Sequence, residues 1–185
     1  DTVNKVLLLK AIADTGRNTS VRSWITEVNW PLWEGPHSPA GKTVAVTEDS
    51  QADYLVRFYL LALATGAVER VYWWRLVARG YGLVAPEPDG VLRRRPSWHA
   101  MRTLIAELEG SIFTGPLPAP EGVWLYRFRR EGESVVVAWS LEAGRAADLP
   151  SPAVGVASRD GASLPIPDGT RIEVGPSPVY YLLER

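Results

Sequence analysis

The sequence predicts two fold classes in series, an α/β segment followed by an all-β segment. Three observations carry this. Through residue 110 of the 185, helical and extended patterns alternate, the order expected of parallel α/β structure with right-handed crossovers. Three prolines, Pro116, Pro118 and Pro120, then read as a stiff linker. Beyond Gly122 helical spacing vanishes and short apolar runs recur between Gly, Pro and Asp, the pattern of a small antiparallel β-sandwich.

Taken in order, residues 2–15 place Val3, Val6, Leu7, Leu9 and Ile12 at loosely helical spacing. Gly16 and Asn18 are expected to end that helix. Residues 22–29, RSWITEVN, are rich in β-branched and aromatic types and are closed by Pro31, which predicts a strand. The stretch from Trp30 to Thr47 holds Pro31, Gly35, Pro36, Pro39 and Gly41. Loops that long inside compact domains usually carry function. Residues 48–65 hold the clearest helical pattern, with Ala52, Leu55, Val56, Tyr59, Leu60 and Leu63 on one face. Thr47 is placed to cap it and Gly66 to stop it. Residues 68–76, VERVYWWRL, predict a second strand, and a loop runs through Gly80-Tyr81-Gly82 to Arg95. Ser97 is expected to cap a last helix that carries Trp98, Met101, Leu104, Ile105 and Leu108 and ends at Gly110.

Two strands do not make a stable parallel sheet alone, so residues 1–115 read as the end of a larger α/β domain. In the second domain, residues 122–185, the runs 123–130 and 134–140 flank Glu131-Gly132-Glu133, a hairpin signal. Further strands are expected at 153–157, 170–174 and 178–183. So small a sheet module gains by covering another surface, and Trp98 or Met101 is expected at that contact.

Composition excludes several functions. Lys+Arg is 20 against Asp+Glu 21, a net charge of −1, which gives no electrostatic reason to expect nucleic acid or an anionic membrane. No apolar run approaches the ~18 residues of a membrane span. With no cysteine and two histidines, disulfides, thiolate zinc and a cysteine nucleophile are out, and no metal is expected. No cofactor is expected either, because Gly80-Tyr81-Gly82 lacks the lysine and helix start of a phosphate loop. The chain opens at Asp1 without a methionine and reads as a piece of something longer.

Tryptophan stands out at eight residues, with Trp24, Trp30, Trp33, Trp73 and Trp74 in two short segments. Ligands of parallel α/β folds bind at the carboxyl ends of the strands. Glu27 falls near such an end, followed by Asn29, Trp30, Trp33 and Glu34, and the second strand ends in Trp73-Trp74-Arg75. Flat indoles match the apolar faces of pyranose rings, while carboxylates, amides and guanidinium groups match the hydroxyls. The group therefore suits a carbohydrate. The competing reading is that the tryptophans fill the core and Glu27 is a surface charge. Glu48, Asp49 and Asp53 are expected in the first turn of a helix, complementing its dipole. His37 is expected to be an exposed loop residue, His99 structural, and Arg93-Arg94-Arg95 a solvated turn.

Residues 1–110 resemble the end of a retaining glycoside hydrolase with a (β/α)8 barrel, of the superfamily called clan A. The resemblance rests on Trp24-Ile25-Thr26-Glu27, Val71-Tyr72-Trp73-Trp74-Arg75-Leu76, Gly80-Tyr81-Gly82-Leu83-Val84 and Arg95-Pro96-Ser97-Trp98-His99-Ala100. It implies a partial barrel, the last two strands and their helices, followed by a small antiparallel β-sandwich. It implies that Glu27 is the nucleophile and that Trp73, or failing it Trp74, floors the sugar subsite. Asn29 and Arg75 would orient Glu27 or bind hydroxyls, with Trp30 and Trp33 stacking on sugar. The family's acid/base glutamate lies in an Asn-Glu pair, and no such pair occurs in the sequence. Glu34 is the only near substitute. The chain by itself is thus expected to be inactive. A carbohydrate-binding module without catalysis, or a structural part-domain, remain the alternatives. Its first strand would be an open edge, so self-association is expected.

Overall fold

The apolar and β-branched residues at 23–28 and 68–73 pair as parallel strands, and that pairing frames the first half of the chain. The structure is a computed structural model that describes residues 2–15, 23–35, 38 and 40–183. It divides into two units, Asp1–Trp98 and His99–Arg185. The helix at 96–108, expected to close the first domain, thus falls largely in the second unit.

The first unit contains α1 (Thr2–Asp14), β1 (Ser23–Val28), α2 (Glu48–Ala64), β2 (Val68–Trp73), β3 (Val84–Pro86) and β4 (Leu92–Arg94). Gly16 and Asn18, expected to end α1, lie outside the described residues, as do Arg22 and His37. Strands β1 and β2 run parallel, with Ile25 opposite Val71 and Val28 opposite Trp73. Helix α2 makes the crossover. The Thr47 hydroxyl accepts the Ser50 N–H at 3.0 Å, satisfying one of the first-turn donors. Gly66, at φ 65°, turns the chain out in the left-handed conformation that a side chain disfavours.

Burial around α2 is wider than the apolar stripe. Ala52, Leu55, Val56 and Leu60 are buried as the spacing requires, but so are Gln51, Asp53 and Arg57, while Leu63 is exposed. Asp53 therefore does not serve in the first turn, where Glu48 and Asp49 sit. Strand β2 ends at Trp73 rather than Leu76, and the Trp74–Arg75 peptide that follows is cis. The expected loop to Arg95 contains the antiparallel β3–β4 hairpin. Helix α3 (Pro96–Leu108) starts one residue before Ser97. Pro96 at the first helical position has no N–H to leave unsatisfied, and the Ser97 hydroxyl is buried without a hydrogen-bond partner among the described residues, so Ser97 is not the cap.

The second unit adds β5 (Ile112–Pro116), β6 (Val123–Arg130), β7 (Glu133–Ser140), β8 (Arg145–Asp148), β9 (Ala153–Ser158), β10 (Arg171–Val174) and β11 (Val179–Leu183). Five strands form one antiparallel sheet in the order β5-β6-β7-β11-β9, and β10 and β8 form a second. Alternate residues build one core: Leu125, Val136, Ala138 and Tyr181 of the larger sheet with Ala147, Ile172 and Val174 of the smaller. The intervening residues Val135, Val137, Trp139 and Tyr180 are also buried, and α3 touches this unit through Thr103. A methyl added to Gly161 would lie 2.8 Å from the Thr103 Oγ1 and 3.6 Å from Arg102 Nη2. This contact falls at Arg102 and Thr103, one or two residues beyond Met101.

The proline stretch is corrected at its start. Pro116 is the last residue of β5, and the Leu117 N–H donates to the Leu125 carbonyl at 2.8 Å. Proline is tolerated there because β5 is an edge strand whose outer donors need no partner.

Candidate functional site

Two strands that run parallel deliver their carboxyl ends side by side. The Trp74 N–H donates to the Val28 carbonyl at 3.1 Å, so the residue after β2 is tied to the residue after Glu27. Glu27 lies in the irregular step of the ladder between Ile25 and Val28. It is exposed, and no hydrogen bond or ion pair to its carboxylate occurs among the described residues.

Asn29 is the clamp of this end. Its Nδ2 donates to the Tyr81 carbonyl at 2.8 Å and to the Trp74 carbonyl. Its Oδ1 accepts from Gln51 Nε2 at 3.2 Å, and the same Gln51 nitrogen donates to the Trp30 carbonyl at 2.8 Å. One fully buried glutamine of α2 thus fixes the amide that holds the loop after β2 against the end of β1. Asn29, expected to reach a ligand or Glu27, spends its amide on the backbone instead.

The four tryptophans separate into two kinds. Trp30 packs on Tyr54, Phe58 and Trp73, with ring centroids 5.4, 5.7 and 6.2 Å apart. The Trp73 indole N–H is buried without a hydrogen-bond partner among the described residues, and the Tyr59 hydroxyl bonds to the Trp73 backbone, its pKa pushed up to about 12 by burial. Trp30 therefore packs against residues of α2, and Trp73 packs on Trp30. Trp74 and Trp33 are exposed, at 46% and 43%. Trp74 lines an open cleft of about 680 Å³ with Arg75, Val77 and Tyr81. The Arg75 guanidinium lies 5.8 Å from the Trp74 ring centroid, and its Nε donates to the Val77 carbonyl at 3.2 Å. Trp33 lines a neighbouring cleft of about 400 Å³ with Glu34, Arg79 and Glu87.

Glu34 is committed. Its Oε2 accepts the Gly80 N–H at 2.8 Å and its Oε1 accepts from Arg95 Nη2. Both oxygens are thus occupied by fixed donors, so neither is free to face a leaving-group oxygen. Arg95, expected in a solvated turn, is completely buried. It also donates to Glu48 at 3.0 Å and to the carbonyls of Ala78 and Gly82 at 3.0 and 2.6 Å. Arg93 pairs with Glu48 and Glu87 at 2.8 and 2.7 Å. The hydrogen bond from Arg93 is the main reason the Glu48 carboxyl is held below its ordinary value; burial opposes it and Arg95 assists it.

Sequence reasoning missed Gln51 and Arg95. Gln51 had one available signal, a polar side chain beside the apolar face of α2.

No family model matches the chain, and no curated protein matches it. Solved structures do. A GH30 endoxylanase from Clostridium papyrosolvens aligns over 100% of this chain and 46% of its own, with a TM-score of 0.59 at 13% identity. A GH39 β-xylosidase from Caulobacter crescentus aligns over 99% of this chain and 48% of its own, with a TM-score of 0.58 at 16% identity. The fold is glycoside hydrolase-like. A conserved exported protein from Bacteroides fragilis reaches a TM-score of 0.65 over 98% of this chain and 44% of its own, at 12% identity. The chain therefore spans less than half the length of the structures it resembles.

Proposed function

We propose that this chain is the C-terminal part of a retaining glycoside hydrolase, with β1 and β2 as the last two strands of its (β/α)8 barrel. The observation that supports it best is the register. It sets a free, exposed carboxylate, Glu27, at the same strand end as an exposed indole, Trp74, in a fold shared with glycoside hydrolases. In this reading Glu27 attacks the anomeric carbon, forming a glycosyl-enzyme ester as the C–O bond to the leaving group breaks. Trp74, not the packed Trp73, is the better platform for the sugar. Trp33 extends it, while Asn29, Gln51 and Arg75 hold the loop that carries Trp74. The acid/base that protonates the leaving oxygen would come from outside these residues, since Glu34 is held by Arg95.

The nucleophile can be tested without the acid, because a dinitrophenolate departs unprotonated. Exposure to dinitrophenyl fluoroglycosides of xylose and glucose is expected to add one glycosyl mass to the peptide carrying Glu27, slowly, and not in Glu27→Gln. Ordinary aryl glycosides are expected to turn over negligibly. No adduct, or one on another carboxylate, would overturn the assignment of Glu27. Turnover within the ~1–1000 per second of ordinary enzymes would show that an acid lies within the chain.

A further inference from the structure

Strand β6 ends in Tyr126-Arg127-Phe128-Arg129-Arg130, and alternate residues of a strand share a face. Arg127 and Arg129 thus lie on the face that Leu125 gives to the core, outside the core cluster itself. The register continues that row: Arg129 is opposite Ser134, and Ser134 is opposite Leu183. These residues and Arg130, Pro150 and Ser151 line a concavity of about 410 Å³, within the ~300–1,000 Å³ range of small-ligand pockets. Among the described residues its charge is unbalanced. Arg130 pairs with Glu133 at 2.5 Å, which neutralises one guanidinium. Arg127 Nε donates to a neutral partner, the Thr114 hydroxyl, at 3.1 Å. Arg129 has no ion pair or hydrogen bond from its side chain among the described residues.

Two guanidinium groups without an ion pair among the described residues, in a concavity also lined by the apolar side chains of Leu183 and Pro150, make a receptor for a planar or tetrahedral oxyanion. We propose that this concavity binds an oxyanion group, a carboxylate or a sulfate, with Arg129 as its principal contact and Arg127 as the second. The proposal rests on the second unit alone and is independent of the role of Glu27.

Titration calorimetry of the full chain at low ionic strength, with sodium glucuronate, sodium sulfate and glucose as probes, tests it. Saturable binding of glucuronate or sulfate, with none of glucose, is expected. Arg129→Gln is expected to weaken it about tenfold or more, the loss of roughly one charge-assisted contact. Added sodium chloride is expected to weaken it further. Glucuronate binding well above sulfate identifies an acidic sugar; equal binding identifies a site for free oxyanions. Both support the proposal. Arg129 is exposed, so its substitution should leave the fold intact, and the circular dichroism of the variant checks this. Should Arg129→Gln not fold, Arg127→Gln gives the same reading. Absence of saturable anion binding, binding of glucose as strong as that of glucuronate, or binding unchanged in a folded variant would overturn the proposal.

Discussion

At the scale of single residues, Arg95 explains more of the first unit than any tryptophan. A guanidinium removed from water is tolerated only when its donors are satisfied by fixed partners. Here those partners are Glu34, Glu48 and the carbonyls of Ala78 and Gly82. Three separate stretches, the loop after β1, the start of α2 and the loop after β2, therefore converge on one side chain. The consequence for pH follows from Glu48. Its folded value lies below the ordinary 4.5, first because of Arg93. A carboxyl lowered on folding contributes stability that is complete above its unfolded value and is lost as pH falls through the folded one. The difference in melting temperature between the wild type and Glu48→Gln is therefore expected to be largest near neutrality and to shrink below about pH 4.5. A difference that stays constant down to pH 3 would show that the pairing with Arg93 and Arg95 does not hold this carboxylate ionised.

At the scale of elements, the turn through Gly80-Tyr81-Gly82 is held by backbone contact as much as by side chains. A methyl on Gly82 would stand 2.4 Å from the Ala78 nitrogen and 2.7 Å from the Val84 oxygen. Neither atom can move alone, because the Ala78 N–H already donates to the Val84 carbonyl at 3.3 Å. Gly82→Ala is thus expected to lower stability by about 3 kcal/mol, at the upper end of overpacking costs. Gly155→Ala, whose added methyl would meet the Leu182 side chain at an ordinary 3.6 Å, should cost far less; urea midpoints compare the two. Elements that announce themselves in the sequence are those whose signals are local. The apolar positions and caps of α2 and the β6–β7 hairpin with its Gly132 turn are of this kind. Strand β5 was hidden because its glycine and proline are poor strand formers, and pairing with β6 decides its conformation. Strands β3 and β4, three residues each, are too short to show any period. The site divides in the same way. Glu27 and Trp74 were legible by residue type and position at a strand end. Gln51 and Arg95 were not, because their partners stand 13 to 61 residues away in sequence, beyond any local pattern.

At the scale of the whole molecule, the first unit leaves unpartnered surface of two kinds. Among the described residues the β1–β2 sheet has no third strand, so each strand presents one edge of unpaired backbone groups. On α1 only Val6 is buried, while Leu7, Leu8, Leu9 and Ile12 are 45 to 68% exposed. Four large aliphatic side chains within six positions of one helix are more than the scattered exposure normal for a monomer, and we propose that they form an association surface. Helix burial and edge pairing are two routes to the same outcome, and the aliphatic face favours the first, since it removes apolar area from water without requiring strands to align. Self-association is therefore expected, with a two-fold dimer as the commonest closed form. Sedimentation equilibrium over a wide concentration range should show a mass that rises with concentration. Leu8→Glu with Ile12→Glu is expected to shift the transition to at least about tenfold higher concentration, the equivalent of 1.4 kcal/mol. Substitution of exposed helical positions leaves the fold in place, which the far-ultraviolet spectrum checks. If association persists unchanged in the double variant, the strand edges and not α1 are the contact. A strictly monomeric wild type at high micromolar concentration would instead mean that neither surface is available to a second copy.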